Sequence, residues 1–279
     1  HVQQPFPARP VPFYRGPVEL AFGIQPVTVE GNTARAAMRP GPWALREDGS
    51  GAHQGATGVL IDDVTAYAAL TARDDGQWGV SSQISVDFHS PIRADMRQLV
   101  CTAQVDHRAG DWSFSSGRVV ADNGELIATI GQRVKFFSSE ESPHRTAGLP
   151  ADAASWLTSL DSHLECTRQD GTHSEFFLMS DPGMRNVLGT LHGGVSLAFS
   201  ELAARRAAEF SGGSSPEKFL PSSIRMSYLR PGIMEGHLRV TADVIHRSRT
   251  IATVETRVLN PDGKAATHGL VTLHKVQGA

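Results

Sequence analysis

The sequence predicts an α+β fold that is built twice, with each half an antiparallel sheet wrapped around one long helix. Three observations lead to this fold class. The 279-residue chain repeats a pattern of residues at an offset of 139, each half contains one long apolar stretch, and each half closes with segments that alternate apolar and polar residues. The repeat pairs His53 with His192, Asp62 with Glu201, His107 with His246, and Gly124 with Gly263.

The repeat divides the chain into two domains, because a unit of about 140 residues is long enough to bury a core of its own. We expect these domains at residues 1–137 and 151–279, joined by a linker at 138–150 that is rich in serine, glutamate and proline. The first 20 residues contain five prolines and are expected to form an irregular arm. After the linker, Asp152–Leu164 is predicted to be an amphipathic helix.

Each half follows the same order of elements. A strand region and a polar, glycine-rich loop precede a long apolar helix, predicted at Thr57–Thr71 in the first half and at Val195–Phe210 in the second. About five antiparallel strands are expected per half, because Val, Ile and Thr recur with a period of two between turn residues. The predicted strand regions are Ala21–Arg39, Gln83–Phe88, Leu99–Val105, Ser113–Ala121 and Leu126–Phe137, then Thr172–Met179, Ile224–Leu229, His237–Ile245, Thr250–Leu259 and Ala265–Lys275.

Composition and charge argue against several classes of protein. The net charge of −3, with 12 histidines counted as neutral, gives no general attraction to nucleic acid or to membranes. The two cysteines follow no spacing pattern, so neither a disulfide framework nor a zinc site is expected, and a reducing cytosol fits. No apolar run approaches the roughly 18 residues of a membrane span, and no signal peptide is visible, so the expected location is the cytoplasm.

An acidic residue lies on each predicted helix, nine positions after a histidine. Asp62 and Glu201 both stand within apolar runs, and burying a charge without a partner is costly. One interpretation is an ordinary carboxylate that faces solvent or pairs with an arginine. The other, which the repetition favours, is a general base toward water or a nucleophile toward an activated acyl group.

The second helix follows the turn His192-Gly193-Gly194. Backbone N–H groups at a helix N-terminus lack acceptors within the helix and can polarise a carbonyl or hold its oxyanion. Alternatively, the glycines only allow the helix to pack closely against a strand. No second histidine stands at metal-ligand spacing from His192, so no metal site is predicted.

This turn belongs to a longer motif. The second half contains Asn186-x-x-Gly189-Thr190-Leu191-His192-Gly193-Gly194, Glu201 and Ser227-Tyr228-Leu229-Arg230-Pro231, and the first half has the looser counterparts His53-Gln54-Gly55, Asp62 and Phe88-His89-Ser90-Pro91. Over roughly Phe176–Val276 the chain resembles the hotdog-fold acyl-CoA thioesterases of the phenylacetyl-CoA, or PaaI-type, group. The two halves together resemble a tandem, or double, hotdog that packs as a pseudo-dimer.

The resemblance implies hydrolysis of a thioester without a metal or redox cofactor. The helix acid activates water or attacks the carbonyl, the N–H after the histidine polarises that carbonyl, and the asparagine orients the carbonyl or the water. Such sites lie across the interface, so each acid is expected to face the histidine turn of the other half. Site one would combine Asp62 with Asn186, His192, Gly193, Gly194 and Ser82, and site two would combine Glu201 with His53, Gln54, Gly55 and Ser222 or Ser223.

Site one matches the family pattern better than site two. The first half has Glu47 where the second half has Asn186, and it has Gln54 where the second half has Gly193. The side chain of Gln54 is expected to crowd the acyl group, so site one is the expected active site. Four arginines suit the phosphates of coenzyme A, although solvated charge is an equal alternative for each: Arg205, Arg206, Arg247 and Arg249.

The predicted function is hydrolysis of an acyl-CoA to a free acid and coenzyme A. Two alternatives stay open. A non-catalytic acyl-CoA-binding module would bind the thioester without releasing thiol, and a hydratase or dehydratase of the same fold would carry a Gly-Asp and Asn-Pro motif that we do not find. A homo-oligomer of double-domain chains is compatible with the resemblance.

Overall fold

A computed structural model of the protein describes residues 6–139, 152, 154–211 and 218–276. Its main element is one antiparallel sheet, in which these residues form 12 strands. The first half contributes β1 (Thr28–Glu30), β2 (Thr33–Met38), β3 (Gln77–Phe88), β4 (Leu99–Ala109), β5 (Trp112–Ala121) and β6 (Leu126–Ser138). The second half contributes β7 (Leu164–Asp170), β8 (His173–Leu178), β9 (Phe219–Tyr228), β10 (Leu238–Arg247), β11 (Ile251–Leu259) and β12 (Ala265–Lys275). The α-helices are α1 (Pro17–Ala21), α2 (Gly58–Leu70) and α3 (Gly193–Phe210).

The two halves of the sheet have the same strand order. Followed inward from its edge, the first half runs β1-β2-β4-β5-β6-β3 and the second runs β7-β8-β10-β11-β12-β9. Strands β3 and β9 meet at the centre, where Gln83 pairs with Ser227 and Asp87 pairs with Ser223. The repeat in the sequence therefore folds as two equivalent copies that share one continuous sheet.

Each half of the sheet buries one face against its own helix. In β11, for example, every second residue from Ala252 to Val258 is buried, and the residues between them are partly exposed. This alternation is what a strand requires when one face covers a core and the other meets solvent. Helix α2 packs on β4 and β6, and α3 packs on β10 and β11.

The two central helices cross at their N-terminal ends through glycine. A Cβ atom on Gly58 would overlap the carbonyl oxygen of Gly194, and a Cβ atom on Gly194 would overlap the Cα of Val59. Only residues without a side chain allow two backbones to approach this closely. The crossing brings the turn that precedes α3 against the part of α2 that carries Asp62.

Both predicted central helices are present. Helix α2 starts one residue later than predicted, and α3 starts two residues earlier, so that Gly193 and Gly194 form its first turn. Gly194 therefore allows helix–helix packing rather than the helix–strand packing that we considered. Each half has six strands in the described residues rather than about five, because the region predicted at Ala21–Arg39 contains both β1 and β2, and the prediction missed β7 in the second half.

The amphipathic helix predicted at Asp152–Leu164 is wrong. Of the described part of this segment, residues 154–160 form turns and bends, residues 161–163 form a single 3₁₀ turn, and Leu164 begins β7. Leu160 is buried, as the apolar pattern suggested, but its backbone N–H donates to the carbonyl of Trp43. Serine, threonine and aspartate along the segment favour such local turns over a helix.

The N-terminal arm is irregular from residue 6 to residue 16 and then forms α1. The strand region predicted from Ala21 onward starts as the end of this helix, and its strands begin at Thr28. The predicted linker lies outside the described residues from position 140 onward, and the division into two domains stays a prediction. Among the helices that the structure describes, none has the length and apolar character to cross a membrane.

Candidate active site

A cavity of about 560 Å³ lies between the two halves and corresponds to site one. Helix α2 and strands β3 and β6 form one side of it, and the segment before α3 and the end of β9 form the other. Most of its wall is apolar, with a small group of polar side chains near the helix crossing. Cavities with this composition are the usual place for a small-molecule site.

Asp62 is the carboxylate at the centre of the cavity wall. It lies on α2, and its Oδ1 accepts hydrogen bonds from Ser81 Oγ at 2.7 Å and from Gln132 Nε2 at 3.1 Å. Gln132 also donates to the hydroxyl of Thr65 at 2.8 Å, which fixes the orientation of its amide. These bonds occupy Oδ1, so that Oδ2 is the oxygen that faces the histidine turn.

Burial raises the pKa of Asp62 above its ordinary value. The neighbouring Asp63 acts in the same direction, whereas His192 and the hydrogen bonds from Ser81 and Gln132 oppose it. A carboxylate whose proton affinity is increased by burial and limited by specific donors is suited to accept a proton during a reaction.

His192 is the N-cap of α3 and is buried. Its Nε2 lies 2.9 Å from Asp63 Oδ1, while its Nδ1 lies 3.0 Å from the backbone N of Gly194 and 3.4 Å from Asp62 Oδ2. Burial lowers the pKa of the imidazole, but the nearby carboxylates outweigh this effect and raise the pKa to about 10. In the neutral ring Nδ1 accepts the N–H of Gly194, and in the imidazolium it presents a proton toward Asp62.

Gly193 lies between Asp62 and the aromatic ring of Tyr228. A Cβ atom at this position would lie 2.7 Å from Asp62 Oδ2 and 3.2 Å from the ring. The hydroxyl of Tyr228 donates to the Gly193 carbonyl at 2.7 Å and so holds the first turn of α3 in place. No atom of the described residues accepts the N–H of Gly193, which makes it a free donor at the positive end of a helix.

Asn186 lines the same cavity but has a structural part in the loop before α3. Its Oδ1 accepts the N–H groups of Leu188 and Thr190 at 3.0 and 3.1 Å, and its Nδ2 donates to the Thr190 hydroxyl at 2.9 Å. The side chain thus holds the loop in an Asx-type turn. The structure places it in the cavity wall, as the motif implied, with its carbonyl oxygen already engaged.

The two residues that hold Asp62 were missed by the sequence analysis. Ser82 was the predicted serine, and it lines the cavity, but its neighbour Ser81 is the residue that bonds Asp62. Because the register of β3 shifts between Ser81 and Gln83, the simple alternation of side chains does not predict which serine faces Asp62. Gln132 did leave a signal, because it is a polar residue at an inward position of β6, in phase with Ile130 and Val134.

The acid and the histidine predicted for site two are both buried. Glu201 is fully buried, neither of its carboxylate oxygens has a hydrogen-bond partner among the described residues, and Arg205 Nε lies 4.0 Å away. Arg205 donates to His53 Nδ1, and His53 Nε2 lies 3.0 Å from Asp161. Of these residues, none lines the cavity of site one. The structure therefore brings the predicted residues of site two together as a buried ion cluster.

The remaining residues predicted for site two have other contacts. The amide of Gln54 donates to the carbonyl of Ser90 and accepts the N–H of Ile92, so it holds a loop instead of crowding an acyl group. A Cβ on Gly55 would approach the backbone of Ala198 to 3.0 Å, so this glycine serves helix packing. Ser222 bonds His274 on the neighbouring strand, and Ser223 pairs with Thr272.

The four arginines predicted to contact phosphates are not among the residues that line the cavity. Arg206 donates to Asp161 and to the carbonyl of Leu164, Arg247 donates to the carbonyl of Ala208, and Arg249 is exposed in the turn between β10 and β11. The cations that do line the cavity are Lys135 and Arg230. A coenzyme A phosphate at site one would meet these two side chains first.

One group in the cavity wall has the composition of a metal site. Glu19, Asp63 and His192 each offer a ligand atom, and these atoms lie within 4.8 Å of one another. Burial, followed by repulsion from Asp63, raises the pKa of Glu19 to about 8. A proton shared by the two carboxyl groups would meet the same electrostatic need as a cation. The sequence analysis missed this group because nothing in the spacing of residues connects Glu19 with His192.

Family models match both halves of the chain. The model described as thioesterase superfamily matches residues 188–267, and the model described as acyl-CoA thioesterase C-terminal domain matches residues 1–136. The chain is a thioesterase. The first match includes His192, Gly193 and Tyr228, and the second includes Asp62 and its hydrogen-bond donors, so both sides of the cavity lie within matched segments. No curated protein matches the chain.

Solved structures with the same fold extend over nearly the whole of this thioesterase. The tesB protein of Mycobacterium avium subsp. paratuberculosis is 11% identical, with a TM-score of 0.65, and the match covers 93% of this chain and 98% of that one. The acyl-CoA thioesterase II TesB2 of Mycobacterium marinum is 12% identical, with a TM-score of 0.63 and coverages of 94% and 98%. A conserved protein of unknown function with a hotdog fold from Alicyclobacillus acidocaldarius is 13% identical, with a TM-score of 0.64 and coverages of 94% and 98%.

These likenesses show the fold, and the predicted α+β double hotdog is confirmed. The prediction of a thioesterase enzyme is also confirmed through the family models. The narrower resemblance to the PaaI-type group stays a prediction, because the matched families are the thioesterase superfamily and an acyl-CoA thioesterase domain. The roles of the individual site residues likewise stay predictions.

Proposed function

We propose that this thioesterase hydrolyses acyl-CoA to a free acid and coenzyme A at one active centre per chain, with Asp62 as general base. One observation carries the proposal. The Asp62 carboxylate, held by two donors, lies in the wall of a cavity beside the free N–H at the start of α3. Transfer of an acyl group to water requires a base and an oxyanion donor that face the same part of a cavity.

The composition of the cavity supports an acyl-CoA substrate. Ala66, Leu70, Trp78 and Val134 give it an apolar region, and Lys135 contributes a cation to the same wall. An acyl chain would occupy the apolar region, and phosphate groups would meet cations at the cavity. The description of the family matched by the first half and the name of the Mycobacterium marinum structure are consistent with this substrate class.

The proposed reaction is a direct attack by water. The thioester carbonyl oxygen accepts the N–H of Gly193, which stabilises the negative charge that develops there. Asp62 removes a proton from a water molecule as its oxygen forms a bond to the carbonyl carbon. The tetrahedral intermediate then collapses, the carbon–sulfur bond breaks, and the proton held by Asp62 passes to the departing thiolate, which restores the carboxylate.

Finer features of the predicted function belong to this proposal. The PaaI-type resemblance favours an aryl acyl group, and the aromatic side chains of Tyr67 and Trp78 in the cavity wall suit one. The protein would act in the cytoplasm without a metal or redox cofactor and without binding nucleic acid. Its small-molecule partner would be the acyl-CoA substrate, and a homo-oligomer of double-domain chains would be compatible with this function.

The proposal is tested by thiol release from short, long and aryl acyl-CoAs, with the variants Asp62→Asn and Glu201→Gln compared against the unchanged protein. We expect Asp62→Asn to lower kcat by about 10²–10⁴-fold, the range for loss of a general base. Glu201→Gln should keep kcat within about threefold, because its effect is on stability rather than chemistry. Equal losses in both variants would contradict a single active centre, and full activity of Asp62→Asn would contradict the assigned base.

A further inference from the structure

Two carboxyl groups behind His192 have no part in the proposed reaction. Asp63 follows Asp62 on α2, and its Oδ1 lies 2.9 Å from His192 Nε2. Glu19 lies on α1, and its Oε1 is 3.9 Å from the same nitrogen. All of these side chains are buried and line the cavity. Two separate segments of the chain, α1 and α2, thus each place a buried carboxyl group beside Nε2 of this imidazole.

The position of Glu19 is set by its own backbone contact. Its Oε2 accepts the N–H of Gly16 at 2.9 Å, which orients the other oxygen toward Asp63 and His192. The segment 17–24 has a counterpart at 157–164 in the second half, but that counterpart carries no acid at the position of Glu19. The placement of Glu19 depends on how the N-terminal arm packs onto the first half.

The two carboxyl groups are close enough to share a proton. Asp63 Oδ2 is buried and has no conventional hydrogen-bond donor among the described residues. Burial and repulsion from Asp63 raise the pKa of Glu19 to about 8, so Glu19 is protonated at neutral pH and can donate to Asp63. The pair then carries one negative charge instead of two. The other titratable group facing it is Tyr67, whose pKa is raised by burial and by both carboxyl groups.

This pair determines which way the imidazole of His192 is oriented. With Asp63 at Nε2, that nitrogen carries a proton and donates it, so the ring cannot rotate without losing a buried charge-assisted bond. Nδ1 is then directed at the first turn of α3 and at Asp62, 3.4 Å away. An acid that orients a histidine beside a reacting group is a known arrangement in unrelated hydrolases.

We propose that Asp63 and Glu19 are positioning residues of the active centre, which hold His192 through Nε2 so that its Nδ1 supports Asp62 and the Gly193 turn. This inference depends on the proposed function for its effect on turnover. Glu19 contributes through the proton it gives to Asp63, which keeps two buried carboxylates from repelling each other. Ionisation of Glu19 would remove that donor and leave two carboxylates that repel each other, which would move Asp63 from its place at Nε2.

The kinetic test compares Asp63→Asn, Glu19→Ala and Glu19→Gln, with the exposed Asp170→Asn as a control for loss of an aspartate. We expect Asp63→Asn and Glu19→Ala to lower kcat by about 10–100-fold, as when an outer group that orients an active-site ligand is removed, with KM nearly unchanged. Glu19→Gln should restore most of the activity of Glu19→Ala, because an amide can donate to Asp63 as a protonated carboxyl does.

The dependence of kcat on pH distinguishes a positioning role of Glu19 from a role in packing alone. In the unchanged protein kcat should fall as the pH rises through about 8, where Glu19 loses its proton, and this alkaline limb should be absent in Glu19→Gln. An identical limb in Glu19→Gln would overturn the proposal. So would a loss in Glu19→Ala that Glu19→Gln fails to restore while both variants unfold at the same temperature.

A measurement on the imidazole is independent of turnover. The ¹⁵N signals of His192 can be recorded in histidine-labelled protein and assigned with a His192→Gln variant. In the unchanged protein they should show that the imidazole stays protonated above pH 8. In Asp63→Asn the pKa of His192 should move by several tenths of a unit or more toward the ordinary value of about 6.5. An unchanged titration would overturn the proposal even if no acyl-CoA were hydrolysed. Stoichiometric binding of Zn²⁺ that Glu19→Gln abolishes would also overturn it, since a cation would then replace the shared proton.

Discussion

The two histidine turns differ in the charge of the group that faces Nδ1 of each imidazole. In both turns Nε2 approaches a carboxylate, Asp63 for His192 and Asp161 for His53, at 2.9 and 3.0 Å. At Nδ1 the two sites diverge. His192 faces the carboxylate of Asp62, whereas His53 accepts a hydrogen bond from a guanidinium. The same backbone turn therefore supports an open, acidic site in one copy and a closed ion cluster in the other.

A few substitutions at equivalent positions explain the difference. Ala66 lines the cavity of site one, and the residue 139 positions later is Arg205, whose side chain occupies site two. The residues equivalent to the two donors of Asp62 are also changed, from Ser81 to Pro221 in the paired strands and from Gln132 to Val271. Both copies have thus kept the helix crossing and the sheet. Only the first copy has the polar side chains that hold the carboxylate of its helix.

The pKa of Asp62 in site one and the pKa of Asp161 in site two are shifted in opposite directions. Burial raises the pKa of Asp62. Burial also acts on Asp161, but the hydrogen bonds from His53 and Arg206 outweigh it and hold the pKa of Asp161 well below its usual range. A carboxylate that is kept ionised by two partners stabilises structure, and one whose proton affinity is increased is available for proton transfer.

Moving the closing residue of site two into site one should have the largest effect. We expect Ala66→Arg to abolish measurable thiol release, because the side chain would enter the cavity and pair with Asp62 or Asp63. A long side chain forced into this wall should also destabilise the fold by about 1–3 kcal/mol. Steady-state kinetics and thermal unfolding measure the two effects separately. Retained turnover in a folded Ala66→Arg variant would show that Arg205 is not what closes site two.

The reciprocal change is the matched control. Arg205→Ala should open space in site two but create no second activity, since Pro221 and Val271 cannot hold Glu201 as Ser81 and Gln132 hold Asp62. Removing one partner from a buried ion pair typically costs about 3–5 kcal/mol. The variant should therefore unfold earlier while its kcat stays at the level of the unchanged protein. A second, Glu201-dependent activity would contradict this account of the two sites.

A substitution in the glycine turn should lower kcat by less than Ala66→Arg does. Gly193→Ala places a methyl group 2.7 Å from Asp62 Oδ2 and 3.2 Å from the ring of Tyr228, so the first turn of α3 must move. We expect kcat to fall by about 10²-fold, comparable to loss of one oxyanion donor, with a smaller change in KM. The equivalent position in site two already carries Gln54, and Gln54→Ala should leave kcat unchanged. Similar kinetic losses in both variants would mean that the two turns contribute equally.

Much of this arrangement could be predicted from the sequence because it depends on local patterns. The apolar runs defined α2 and α3, the period-two segments defined most strands, and the recurrence of Asp62 and Glu201 after a histidine located the helix acids. The fold class followed from these patterns, and the thioesterase family followed from the resemblance of the motif around His192. The prediction that Asp62 and His192 come from opposite halves also agrees with where the structure places them.

The parts that were missed depend on contacts between distant segments. Ser81 and Gln132 contact Asp62 only after β3 and β6 pair with a shifted register. Glu19 reaches His192 from the segment before β1, and the matching segment of the second half has no acid at the same position. Arg205 resembled a phosphate ligand because its charge near the helix end was visible and its burial was not. Residue type and spacing therefore located the acids, while the partners of each acid required the packed structure.

The smallest expected effect concerns the donors that hold Asp62. Because Ser81 lowers the pKa of Asp62 through its hydrogen bond, Ser81→Ala should raise that pKa further. The reaction needs the ionised carboxylate, so the acidic limb of the kcat/KM profile should move to higher pH. The activity lost near neutrality, about tenfold for a shift of one unit, should return as the pH rises.

Ser82→Ala is the control for this shift, since Ser82 lines the cavity without a hydrogen bond to Asp62. Its acidic limb should coincide with that of the unchanged protein. If Ser81→Ala lowered activity equally at every pH, Ser81 would orient water or substrate instead of setting the proton affinity of Asp62. The difference between the two sites would then lie in how site one holds water and substrate, and not in the pKa of its carboxylate.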